Sequence, residues 1–323
     1  MKKLILLAVA AIMAAGTMQA KTADEVRIYI NPGHGSWGPN DRPMATIPYP
    51  NLPETGMPDT CGFYESNTNL WKCLKLYDVL QNMGVKKENL MMSRVKNGPY
   101  PYTKNNYDPD EIYNRPLSEI AREVDANNMD MFISVHSNAH TDGASTNYPA
   151  IFYSGYDQGK SSADYDWFNS SIGEKPDFTG DRVEGSYEMC QKMWGPHYMD
   201  EIDPNSYYSR TNPCIRGDIS FWSGEYYNTV TAKGNKNYGY YGVLRQSTPG
   251  FLIEGYFHTY QPARHRALNM DYCHQEGVRI ARGIRDIFGL NPETRGYIMG
   301  TVKDLHEKMS HPLYSYSPGS IDQ

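Results

Sequence analysis

Met131-Phe132-Ile133-Ser134-Val135-His136-Ser137-Asn138-Ala139 is the stretch that decides the fold. Its apolar run reads as a β-strand, and the strand ends in an imidazole. The same grammar stands upstream in Val26-Arg27-Ile28-Tyr29-Ile30-Asn31-Pro32-Gly33-His34-Gly35-Ser36, where an apolar strand enters a Gly/Pro turn that carries His34. Downstream, Gly250-Phe251-Leu252-Ile253-Glu254-Gly255-Tyr256-Phe257 closes a short buried strand, 251–254, on a carboxylate.

Helical patterns lie between these strands. Residues 69–83 place Leu70, Cys73, Leu74, Tyr77 and Leu80 at helical spacing, with Gly84 as the stop and Glu65 just ahead of the run. Pro116 opens a second helix with Leu117, Ile120, Ala121 and Val124 on one face. A possible helix lies near 185–195. Residues 262–288 read as one long helix ended by Gly289. Further strands are expected at 88–93 and 149–153. Strands alternating with helices predict an α/β domain, a mostly parallel twisted sheet flanked by helices in three layers. Active residues are then expected beyond the strand ends.

Two regions break the rhythm. Residues 37–64 are rich in Pro, Gly and Asn and read as a long loop over the site. Residues 154–249 are rich in Tyr, Ser, Asn and Gly and read as a substrate-facing insertion. Trp37, Tyr207, Tyr208, Trp222, Tyr226, Tyr227, Tyr240 and Tyr241 fall in these regions. Their rings can stack on sugars, although packing of the loops themselves accounts for the larger share.

The ends of the chain stand apart. Lys2 and Lys3 followed by the apolar run Leu4 to Ala15 read as a signal peptide over residues 1–20; an uncleaved anchor is the alternative. The domain proper is expected over 21–290. Gly296 to Asp304 alternates like a first strand, so residues 291–323 are expected to be a linker into an appended β module or a tail, with the chain stopping short of its natural end.

Without the first twenty residues Lys+Arg falls from 31 to 29 against 37 Asp+Glu, a net charge of −8, which speaks against a nucleic-acid partner. The five cysteines show neither a disulfide framework nor a Cys-x-x-Cys zinc pattern, and Cys73 and Cys273 read as buried free thiols.

His34, Glu65, His136 and Glu254 form the candidate site. Two imidazoles and one carboxylate suit a three-ligand zinc site with one open position, and a further carboxylate can serve as base. Each has a bland alternative: a polar cap at a sheet edge for the histidines, a helix N-terminal acid for Glu65, a solvated strand end for Glu254. An acid directly after Phe-Leu-Ile would be partly buried, and burial without a partner is costly. Among the other polar groups, Asn138, Arg245 and His258 are candidates for substrate contact. No Ser–His–Asp or Cys–His arrangement has comparable support.

In order along the chain, Asn31-Pro32-Gly33-His34-Gly35, Glu65 with Asn69-Leu70, Ser93-Arg94, Arg115 with Ala126-Asn127, Phe132 to Ala139, and Val243-Leu244-Arg245 with Pro249 to Glu254 resemble the motifs of the Amidase_3 family of zinc-dependent N-acetylmuramoyl-L-alanine amidases. The resemblance spans roughly residues 26–288 apart from the two loop regions. It implies one zinc ion per chain on His34, Glu65 and His136, with Glu254 as the catalytic carboxylate. It implies peptidoglycan as the substrate, cut between N-acetylmuramic acid and L-alanine. An exported protein, periplasmic or extracellular, follows, with no transmembrane segment after signal cleavage and with any regulatory protein unidentified. Three departures stand out: Asn31 where the family has an acid, the length of the insertion, and Gly255-Tyr256-Phe257-His258-Thr259 after Glu254. The alternatives are a secreted zinc peptidase acting on another peptide and a wall-binding module without activity.

Overall fold

The computed structural model describes residues 21–35, 65–97, 115–140, 146–165, 178–195, 208–209, 211–222 and 241–296. The expected signal peptide, the whole 37–64 loop with Trp37 and Cys61, Tyr207, Tyr226, Tyr227 and Tyr240 of the insertion, and all but the first residue of the expected 296–304 strand lie outside them.

Among the described residues there are six strands. The expected apolar runs give β1 (Ile28–Pro32), β2 (Leu90–Met92), β3 (Met131–Asn138), β4 (Ala150–Tyr153) and β6 (Gly250–Phe257). Strand β5 (Ile215–Gly217) lies inside the stretch read as an insertion, where Ile-Arg-Gly gives no strand signal and only pairing with β4 reveals it. They make one sheet in the order β2-β1-β3-β6-β4-β5. All neighbours run parallel except β4 and β6, which are antiparallel. Every residue of β1, β4 and β6 is buried. Strands buried on both sides need helices on both faces, and these complete three layers. This is the expected α/β architecture.

The helices are α1 (Glu65–Asn82), α2 (Leu117–Ala126), α3 (Ser186–Met193), α4 (Asp218–Phe221), α5 (Gln261–Ala267) and α6 (Met270–Phe288). Helix α1 begins at Glu65 rather than at Asn69. The polar run Ser66-Asn67-Thr68 resembles a turn in sequence, yet Ser66 and Thr68 are buried and the Thr68 hydroxyl donates to the Glu65 carbonyl at 3.0 Å. The expected long helix 262–288 is two. It breaks at Asn269, whose side chain accepts from the Asp271 amide at 2.9 Å and caps α6 afresh. Gly289 closes α6 in the left-handed region at φ 68°, as expected for a C-terminal glycine. Strand β2 is shorter than 88–93 because Lys87–Asn89 form a 3₁₀ turn.

Helices α1 and α6 lie against each other, with the backbone of Lys72 so close to Gly277 that a Cβ there would meet its carbonyl at 2.4 Å. Between them Lys72 and Glu276 form an ion pair at 3.0 Å with neither side chain exposed. The ammonium also stands 4.4 Å from the centre of the Tyr256 ring, a cation–π contact with β6. Burial pulls Lys72 towards its neutral form, but Glu276 outweighs it and holds the ammonium above its ordinary pKa. Cys73, Cys190, Cys214 and Cys273 are free and buried, and burial pushes the thiols of Cys73 and Cys273 up to about 12.

Candidate metal centre

Three elements bring the site together at the C-terminal edge of the parallel strands. The turn after β1 carries His34, the first residue of α1 is Glu65, and β3 carries His136. The His34 Nε2 lies 3.1 Å from Glu65 Oε2, and the His136 Nδ1 lies 3.1 Å from Glu65 Oε1. One ligand atom from each of the three falls within 4.8 Å of the others.

The local backbone is shaped for this meeting. His34 adopts φ 60°, in the left-handed region that a side-chain-bearing residue seldom occupies. Arg94 holds the turn there: its Nε donates to the His34 carbonyl at 2.7 Å, and one guanidinium nitrogen donates to the carbonyls of Gly33 and Ser66, each at 2.9 Å. A single buried guanidinium thus ties the His34 turn to the start of α1. Gly33 makes room for the other imidazole, since a Cβ at that position would stand 2.2 Å from the His136 ring. Ser93-Arg94 stands among the sequence motifs, but only the fold shows Arg94 joining these two segments.

Glu65 is 1% exposed, and burial alone would raise its pKa. The charge of His34 and the hydrogen bonds with His136 and His34 outweigh burial and hold the carboxyl well below its usual range. Oxygen Oε1 also accepts from the Ser137 amide at 2.9 Å and from Asn69 Nδ2 at 3.4 Å. Burial lowers the pKa of His136, which favours the neutral ring that binds metals.

Glu254 stands beside this cluster. In the β3–β6 register His136 and Glu254 are directly paired, and Glu254 is 5% exposed. The register shifts just after this pair, between His136 and Asn138. The Tyr241 hydroxyl donates to Glu254 Oε1 at 3.4 Å.

The remaining expected residues sit as follows. His258 is fully buried, 2.8 Å from the Ser137 hydroxyl and 3.8 Å from Glu65 Oε2, so it packs beside the Glu65 carboxylate. The Asn138 side chain accepts from the Ala139 amide at 2.8 Å. Arg245 ends a 3₁₀ turn (Gly242–Arg245) and folds its guanidinium over Gly242. Asn31 bridges strands: its amide donates to the Ser134 hydroxyl at 2.8 Å, and its oxygen accepts from the Ser93 hydroxyl at 2.7 Å.

A His-Glu-His donor set at the edge of a sheet, with a buried carboxylate next to it, is the equipment of a metal-dependent hydrolase. The family described as N-acetylmuramoyl-L-alanine amidase (Amidase_3) matches residues 28–286. The chain belongs to the Amidase_3 family and is a peptidoglycan amidase of that type. Among solved structures, an N-acetylmuramoyl-L-alanine amidase from Clostridium difficile 630 is 17% identical with a TM-score of 0.46, over 81% of this chain and 95% of that one. The amidase Ami1 from Mycobacterium smegmatis is 15% identical with a TM-score of 0.47, over 83% and 99%. AmiC2 of Nostoc punctiforme is 18% identical with a TM-score of 0.43, over 82% and 97%. No curated protein matches the chain. Among the described residues no helix is long and apolar enough to cross a membrane.

Proposed function

We propose that this protein is an exported zinc amidase that cuts the bond between the lactyl group of N-acetylmuramic acid and L-alanine in peptidoglycan. His34, Glu65 and His136 would hold the ion, and Glu254 would be the catalytic carboxylate. The observation that carries the reading is the direct pairing of Glu254 with His136 across β3 and β6, which puts a buried acid beside the ligand cluster.

The donor set fits zinc, which favours imidazole nitrogen and carboxylate oxygen. The cradle fits too, because the only residue that leaves space for the His136 ring at position 33 is glycine. Zinc bound there would supply a Lewis acid for the amide carbonyl and a water acidic enough to react near neutral pH. The chain's own residues do the rest. Glu65 stays ionised, held by the Ser137 amide and Asn69 as well as by the imidazoles. Glu254 takes a proton from the attacking water and hands it to the departing nitrogen of L-alanine, one carboxyl acting first as base and then as acid.

The test is hydrolysis of purified muropeptides by the mature protein, with and without a chelator, beside Glu254→Ala. Release of free stem peptide beginning at L-alanine, lost with chelator and restored by zinc, is the expected result. Turnover of plain peptides in preference to muropeptides would replace this reading with a zinc peptidase. Zinc binding at one equivalent without turnover of either substrate would leave a wall-binding module.

A further inference from the structure

The 154–249 insertion brings one side chain to Glu254, at 3.4 Å. We propose that Tyr241, at the end of that insertion, is a positioning residue for Glu254; the proposal rests on the amidase reading above. Three independent ties hold Tyr241 in place. Its backbone amide donates to Asp218 Oδ2 at 3.0 Å, and the other Asp218 oxygen accepts from the Gly155 amide at 2.9 Å. Asp218 is fully buried, so this carboxylate pins the last turn of the insertion to its first. The Tyr241 ring packs against Phe152 of β4 at 5.3 Å and edge-on to Trp222 at 6.2 Å. The hydroxyl then reaches Glu254 Oε1.

The room for that hydroxyl comes from the sheet. Directly across from Glu254 on β4 is Ala150, whose methyl is too short to reach the end of a glutamate side chain. A glutamate has three side-chain torsions, and the last is soft. A base must nevertheless present one oxygen in a fixed direction, since misplacement of the order of 1 Å costs about a hundredfold in rate. A hydrogen bond on Oε1 sets the plane of the carboxyl and with it the direction of Oε2. Tyr241 therefore acts through Glu254, and its ring is occupied by protein rather than offered to a sugar.

Tyr241→Phe removes only the hydroxyl and keeps the ring contacts. On muropeptides it is expected to lower kcat about tenfold, the scale of one hydrogen bond to an ionised group, with KM and zinc affinity within about twofold of the parent. Added to Glu254→Gln, it should cause no further loss, because the two changes remove one device. An unchanged kcat, a rise in KM with kcat held, or losses that multiply would each overturn the proposal; the second would make Tyr241 a substrate contact. Should the parent protein cleave no muropeptide, the amidase reading fails separately, and the parent, Tyr241→Phe, Glu254→Ala and the double variant are compared by urea unfolding, since glutamine would keep an acceptor for the Tyr241 hydroxyl. Non-additive midpoints would uphold the Tyr241–Glu254 tie, and additive ones would overturn it.

Discussion

Helix α1 carries two buried charged clusters on one side, two turns apart. At its first residue Glu65 meets His34 and His136; further along, Lys72 meets Glu276. Both bury a carboxylate almost completely, at 1% and 0% exposure. They differ in the partner. Glu276 faces a permanent cation that α1 itself provides, and the Tyr256 ring completes the enclosure. Glu65 faces two imidazoles, groups that can be neutral and can bind a metal. A buried acid closed off by an internal ammonium holds the framework together. A buried acid gathered with two imidazoles at a sheet edge is a donor set that a metal ion can use. Burial alone does not separate the two; partner chemistry does.

The largest expected effect falls on the neighbour of the ligand cluster. Glu254→Gln should lower kcat/KM on muropeptides by about 10²–10⁴, the range for a lost general acid–base group, with the urea midpoint nearly unchanged. A loss below tenfold would remove Glu254 from its role. The structural pair should behave in the opposite way. Glu276→Gln or Lys72→Met should destabilise by about 3–5 kcal/mol, because each leaves a buried charge unpaired, while Lys72→Met with Glu276→Leu together should recover most of it. Denaturant melts of the three proteins check this, and single changes costing under about 1 kcal/mol would break the comparison.

Gly33→Ala should lower zinc affinity by about 10- to 100-fold, since its methyl would enter the space of the His136 ring. Competition with a chromogenic chelator reads it, and unchanged affinity would show that the ring has another seat. The smallest effect concerns pH. Protons compete with metal for His136 and Glu65, and both groups have folded-state values below the ordinary 6.5 and 4.5. A depressed value keeps each in its ligand form as pH falls through the ordinary one. In the metal-free protein the His136 ring should therefore stay neutral below pH 6.5, read from its imidazole resonances by NMR, and a midpoint at or above 6.5 would contradict the environment assigned to it.

Much of this was legible in the amino-acid order. His34, His136 and Glu254 announce themselves because an apolar run must be a buried strand, and whatever polar group follows it emerges at the strand's end. Glu65 was legible as a partner, though not as a helical residue, because the three polar residues after it look like a turn until burial shows otherwise. The break at Asn269 was hidden for the converse reason: helical spacing continues across it, and only the capping bond to Asp271 reveals the interruption. His258 shows how a plausible side chain near a motif can be enclosed, since position along the chain says nothing of what covers it.

The sequence by itself determined five of the six strands, the order of the main α/β units and the candidate quartet, three members of it on strands or the turn after one and Glu65 at a helix start, because local patterning dictates which faces are buried; β5 was hidden inside the stretch read as an insertion. The tertiary structure alone decided which of those side chains meet. Register across β3 and β6 set Glu254 beside His136, the guanidinium of Arg94 drew the His34 turn onto the start of α1, and a buried aspartate brought Tyr241 back from the insertion to Glu254. Those contacts join residues far apart in the chain, and only packing and long-range hydrogen bonding select them.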